Sequence, residues 1–154
     1  MLSDLLLGFS LMFGPFDSNQ LKCLADNIYH EARGESLQGQ LAVTHVVFNR
    51  TSSNKFPSTY CDVIHQADRW QGHPIRNRCQ FSWYCDGKSD LPRDIDAYKD
   101  AIETARIAWD VYYLNEIDMS NGADHYHALS VMPYWAKEMK PTATIDNHIF
   151  YKSK

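Results

Sequence analysis

Leu21, Leu24, Ala25 and Ile28 recur at the three-and-four spacing of a helix, and the same stripe carried forward reaches Glu31, with Glu35 one further turn along. This pattern predicts a helix capped by Ser18, with Gly34 as its stop after the last turn. A second helix is predicted over residues 37–50 with Ser36 as its cap, because Ala42, Val43, Val46 and Val47 share one face and Asn49 and Arg50 close it. The break Phe56-Pro57-Ser58 introduces a short helix with Ser58 as cap and Tyr60, Val63 and Ile64 turned inward. From 66 to 92 no period survives, and Gly72, Pro74, Gly87 and Pro92 punctuate a loop-rich stretch read as one wall of a site.

The longest predicted helix runs from 94 to about 115, with Tyr98, Ala101, Ile102, Ala105, Ala108, Trp109 and Tyr112 on one face. Past the Asn121-Gly122 turn, residues 123–129 alternate around Tyr126 and His127 as a short strand or extended segment. Pro133 opens a short helix through Trp135 and Met139, and Asp146-Asn147 turns a small hairpin that ends in HIFYK. Residues 1–13 are apolar and read as a first core helix. Asp4 stands where a signal peptide carries basic residues, no small-x-small cleavage site follows before Asp17, and the stretch is far short of the roughly 20 residues that span a bilayer. The expected fold class is α+β, mostly helical with a small β-hairpin, as a single domain over 1–154.

Composition narrows the function rather than the fold. At 154 residues one core is expected, and 44% hydrophobic against 22% charged residues is globular composition. A net charge of -4 argues against holding nucleic acid by bulk electrostatics and leaves a neutral carbohydrate or peptide open. Four Trp and nine Tyr supply rings suited to flat sugar faces as well as to a core. The four cysteines, Cys23, Cys61, Cys79 and Cys85, permit up to two disulfides, and Cys79 with Cys85 is the favoured pair.

The candidate chemistry starts from Glu31. A carboxylate on a core-facing stripe must be paired, hydrogen-bonded or held protonated, because taking an ionised group out of water costs several kcal/mol. Gly34 places Glu31 near a helix C-terminus, where the macrodipole disfavours a further negative charge. Both effects raise its pKa and suit it to be a general acid. The plain alternative is a buried ion pair with Arg33, Arg50 or a histidine. Glu35, Asp86 and Asp124 are possible second carboxylates, although Glu35 is equally suited to pairing with Arg33 or capping the next helix. His125, His127 and His148 with Asp124 could be assembled into a zinc site for an amidase or peptidase, but no HExxH accompanies them and no metal or other cofactor is expected.

Read in order, IYHEARGE, GQLAVTHVVFNR, FPSTYCDVIHQ, CQFSWYCDG, GADHYHA, PYWA and HIFY resemble the SleB-type cell-wall hydrolases, the family of spore-cortex-lytic enzymes and related phage endolysins. The resemblance covers about 21–151. It implies a lysozyme-like, resuscitation-factor-like fold that cuts peptidoglycan glycan strands between N-acetylmuramic acid and N-acetylglucosamine, with the first Glu of EARGE, here Glu31, as catalytic residue. It further implies a lytic transglycosylase that leaves a 1,6-anhydro-muramic end, with a hydrolytic muramidase as the alternative. Gln80, Phe81, Ser82 and Trp83 match the family's QFSW block and Tyr126 and His127 its YHA block, which makes them the expected substrate contacts. His148 matches the H-x-FY end and is expected to pack structurally. A monomer without nucleic-acid or membrane partners is expected, reaching the wall by release from the cytoplasm during lysis, as in a phage endolysin.

Overall fold

The computed structural model describes residues 17–154, so the helix expected over 1–13 lies outside the described residues. Helix α1 spans Ser18–Ala32. Its cap is Asp17, one residue earlier than expected, because Asp17 is extended and accepts a hydrogen bond from the Gln20 amide at 2.9 Å while Ser18 is already helical. The chain leaves α1 through Arg33 in a right-handed conformation, so Gly34 follows the helix without supplying a left-handed stop. Helix α2, Leu37–Thr51, begins at the expected Ser36 cap. Helix α3, Tyr60–Ile64, is capped by Thr59 rather than Ser58, the Thr59 hydroxyl accepting from the Asp62 amide.

The stretch expected to lack regular structure holds a hairpin. Strands β1, Ala67–Trp70, and β2, His73–Cys79, pair antiparallel across Gln71-Gly72, both with positive φ. Most of their side chains are exposed, so no apolar alternation marked them in the sequence. A 3-10 turn over Ser82–Cys85 follows. Helix α4, Ile95–Trp109, is capped by Asp94, and its path continues through a wider π turn over Asp110–Leu114.

Strand β3, His125–Ala128, lies beside β5, His148–Lys152, which also pairs with β4, Lys140–Ile145, in an antiparallel sheet of order β3-β5-β4. Asp146 turns the β4–β5 hairpin with a φ of 50°. The residues between Pro133 and β4 form a 3-10 turn, Tyr134–Glu138.

Two apolar clusters place these elements. Leu24 and Ile28 of α1, Phe48 of α2 and Ala101, Ala105 and Ala108 of α4 join the helices. Val43 and Val46 on another face of α2 receive Phe150 of β5 and Ala123, which seats the three-stranded sheet against the helices. Gly39 makes that seating possible, since a Cβ there would stand 2.6 Å from the Asp146 carboxylate. The same carboxylate accepts from the Ser36 amide at 2.9 Å and the Ser36 hydroxyl at 2.6 Å, tying the hairpin turn to the start of α2.

Disulfides join Cys79 to Cys85, the favoured pair, and also Cys23 to Cys61, which staples α1 to α3. The second closes 38 residues of sequence separation and restricts the unfolded chain by about 4 kcal/mol on chain-entropy reasoning.

Candidate active site

Glu31 is the penultimate residue of α1 and lies at the lining of a cleft of about 470 Å³. The opposite side comes from β3, whose Tyr126 hydroxyl donates to Glu31 Oε2 at 3.0 Å. Tyr126 reaches this position because it pairs with Phe150 in the register of β3 and β5, and Phe150 is fully buried against α2. Burial raises the Glu31 pKa, and the Tyr126 hydrogen bond and the charge of Arg50 oppose that rise without cancelling it. The helix C-terminus acts in the same direction as burial. Tyr126 is held protonated far into the alkaline range, first by burial and then by the neighbouring Glu31 charge, so its hydroxyl remains a donor.

Arg50, from the last turn of α2, lines the same cleft and is 3% exposed. Its Nε donates to the Asp124 carbonyl at 2.7 Å, and its guanidinium lies over the rings of Phe56 at 5.0 Å and Phe81 at 5.4 Å. Nη1 is buried with no hydrogen-bond partner. The ion-pair alternative with Arg33 does not arise, since Arg33 stacks over Tyr29 at 4.3 Å.

Of the expected contact residues, Gln80, Phe81, Ser82, Tyr126 and His127 line the cleft with Glu31. Trp83 does not. The 3-10 turn sends its ring away from the cleft, where Nε1 donates to Asn27 Oδ1 at 2.9 Å and the ring stacks on His30 at 4.5 Å. Trp83 instead borders a separate groove of about 530 Å³ between α1 and the start of α4. Phe81, by contrast, is buried and still presents a face to the cleft.

The candidate second carboxylates lie elsewhere. Glu35 sits beyond the end of α1, accepting from the Asn147 amide at 3.4 Å and its side-chain nitrogen at 3.3 Å, and stands 3.8 Å from His148 Nδ1. Asp86 caps its own turn through the Lys88 amide. In Asp124 burial pushes the carboxyl up, but hydrogen bonds from His125 and Ser153 outweigh it and hold the pKa below the usual range. Among the described residues, Glu31 is the single carboxylate that lines the cleft.

The histidines do not assemble a metal centre either. His127 is spanned by Tyr151 OH at 2.9 Å and the Ala128 carbonyl at 2.8 Å, and His125 is joined to Asp124. No three of the described His, Cys, Asp and Glu side chains converge as a metal-holding group. His148 is buried and also borders the cleft, its ring edge-on to Tyr126 at 5.2 Å.

Arg50, His148 and Trp135 also belong to a lining that sequence reasoning reached only in part. One signal was available for Arg50. The α2 stripe of Val43, Val46 and Val47 continues one turn to Arg50, the same extension that singled out Glu31.

The geometry is thus a half-buried acid with a fixed donor and a buried cation beside it, in a cleft with amide, hydroxyl and ring surfaces. Such a site can give a proton to an ether oxygen and take one back. A spore cortex-lytic enzyme of Bacillus subtilis is 32% identical over 109 residues, 68% of this chain and 32% of that protein. Another from Oceanobacillus iheyensis is 28% identical over 142 residues, 89% of this chain and 43% of its own length. The chain therefore spans about a third to two fifths of these curated relatives. The catalytic domain of the germination-specific lytic transglycosylase SleB from Bacillus anthracis superposes with a TM-score of 0.65 and 26% identity, over 90% of this chain and 98% of that domain. The catalytic domain of Bacillus cereus SleB matches equally well in shape at 27% identity. The α+β, lysozyme-like architecture is that of these domains. A family model described as cell wall hydrolase matches residues 34–151, beginning just past Glu31. By that match and by these relatives, the chain belongs to the SleB-type cell wall hydrolase family.

Proposed function

We propose that this protein cleaves the glycan strands of peptidoglycan between N-acetylmuramic acid and N-acetylglucosamine as a lytic transglycosylase, with Glu31 as the only acid and base. The glycosidic oxygen is a poor leaving group, so it must be protonated while positive charge grows at the muramic C1. Protonated Glu31 supplies that proton as the bond from C1 to the oxygen breaks. The carboxylate that remains takes the proton of the muramic 6-hydroxyl as its oxygen bonds to C1, which closes the 1,6-anhydro ring and restores the acid.

The observation that carries this reading is that Glu31 is the single carboxylate lining the cleft among the described residues. A retaining glycosidase needs a second one at about 5 to 5.5 Å and an inverting enzyme at about 6.5 to 9.5 Å. Glu35 and Asp124 are engaged outside the cleft lining, and Asp86 caps a loop. A nucleophile carried by the substrate removes the need for a partner. Gln80 and Ser82 offer polar groups to N-acetyl substituents, and Phe81 and Tyr126 offer ring surface to the sugars.

The deciding experiment is mass spectrometry of purified peptidoglycan after digestion. Anhydro-muramic ends are the expected product; reducing muramic ends would overturn the mechanism in favour of a hydrolytic muramidase. Full activity after exhaustive chelation is expected as well, and its loss with restoration by zinc would revive the amidase or peptidase alternative.

A further inference from the structure

We propose that Arg50 is a positioning residue for the proton transfer, a buried cation that sustains the carboxylate form of Glu31 between giving a proton and taking one. The inference rests on the reading of Glu31 as acid and base. Burial alone would keep Glu31 protonated at rest but make it a reluctant donor, because the same desolvation that favours the protonated form penalises the carboxylate left behind. A cation in direct contact would ease the donation but remove the resting acid, holding Glu31 ionised from the start. Arg50 stands between these limits, acting on Glu31 through space while Nη1 remains without a hydrogen-bond partner.

The fold holds it there. Nε is committed to the Asp124 carbonyl just ahead of β3, and the guanidinium lies over the rings of Phe56 and Phe81, 5.0 and 5.4 Å from their centroids. An unpaired buried donor on an arginine costs free energy, more than one on a neutral group. A site that served only packing would satisfy it or replace it.

The other titratable groups facing this pair are Tyr126, His125 and His127 on β3, Asp124 just ahead of it, and His148 on β5 with Glu35 behind it. His127 has both ring nitrogens engaged, His125 is joined to Asp124, and Tyr126 stays protonated. The wall formed by Gln80, Phe81 and Ser82 contributes no charge. Arg50 is therefore the permanent positive charge of the cleft among the described residues.

The test combines carboxyl carbon NMR titration of Glu31 with pH profiles of peptidoglycan cleavage for the wild type, Arg50→Gln and Arg50→Lys. Arg50→Gln is expected to raise the Glu31 midpoint by about one pH unit or more and to lower turnover about tenfold. Arg50→Lys keeps the charge and should keep the midpoint near that of the wild type. In the wild type, the Arg50 Nε–H resonance should move with the same midpoint as the Glu31 carboxyl. An unchanged Glu31 midpoint in folded Arg50→Gln overturns the proposal, as do equal losses of turnover in both variants without a titration change. Should Arg50→Gln not fold, the lack of a shared midpoint in the wild type overturns it by itself. The titration is read without substrate, so it stands apart from the reading of Glu31, which falls if Glu31→Gln still cleaves.

Discussion

Helix α1 carries two carboxylates, Asp26 and Glu31, and each accepts a hydrogen bond from a tyrosine, Tyr98 at 2.7 Å and Tyr126 at 3.0 Å. Their circumstances differ in the cation. Asp26 is met by Lys22 one turn earlier at 2.6 Å, an exposed lysine that brings solvent-side charge to it. Glu31 has a buried arginine acting at longer range and lies at the negative end of the helix. A tyrosine hydroxyl therefore does not by itself make a carboxylate structural or reactive. What distinguishes Glu31 is desolvation without a neutralising contact, and that raises its pKa.

Glu31→Gln breaks the comparison most severely. Cleavage of peptidoglycan should fall about 10² to 10⁴-fold, the usual worth of a general acid, while circular dichroism remains native. Stability should move the other way. The folded pKa of Glu31 is raised above 4.5, so its contribution is present in full below that pH and is lost as pH rises through the folded value. The melting temperature of Glu31→Gln should therefore exceed that of the wild type at neutral pH, and the gap should close as pH falls toward 4.5. A variant less stable than the wild type at neutral pH would contradict the linkage.

Removing the Cys23–Cys61 staple separates the two ends of α1. Cys23→Ser with Cys61→Ser should cost about 2–5 kcal/mol in denaturant unfolding, because the bridge lies at the Asp26 end and closes the longer loop. The Glu31 titration should be unchanged in whatever fraction is folded. Tyr126→Phe sharpens the comparison from the other side. It removes a bond that favours the carboxylate, so the Glu31 midpoint and the alkaline limb of activity should both move up, with turnover lower by about tenfold.

Asp26→Asn should affect stability alone. Loss of the Lys22 and Tyr98 interactions predicts a decrease of about 1–3 kcal/mol with activity within about threefold of the wild type. Cleavage falling as far as in Glu31→Gln would show that the groove beyond Trp83 belongs to the reaction. The smallest effect is expected from Lys22→Met, about 0–1 kcal/mol, since the lysine is exposed.

Much of the helical scaffold was legible because apolar residues three and four apart report a buried face directly. Helix α2 begins at its expected cap, and the caps of α1 and α3 shift by one residue where an equally competent Asp17 or Thr59 stands beside the expected serine. The β1–β2 hairpin escaped because most of its side chains face solvent, leaving no alternation to read. The family resemblance groups Trp83 with its neighbours in CQFSWYCDG as a substrate contact, yet a tight 3-10 turn sends successive side chains in different directions, and only the folded chain says which ring meets the cleft.

The sequence by itself determined that Glu31 ends a buried stripe near a helix terminus, because helix periodicity and burial are local properties. Only the tertiary structure decided what meets it there. Tyr126 and Arg50 arrive from β3 and α2 through the seating of Phe150 on Val43 and Val46, and Glu35 is drawn aside to Asn147 by the β4–β5 turn. A pKa depends on every charge and every excluded water around a group, and those are set by elements far apart in the chain.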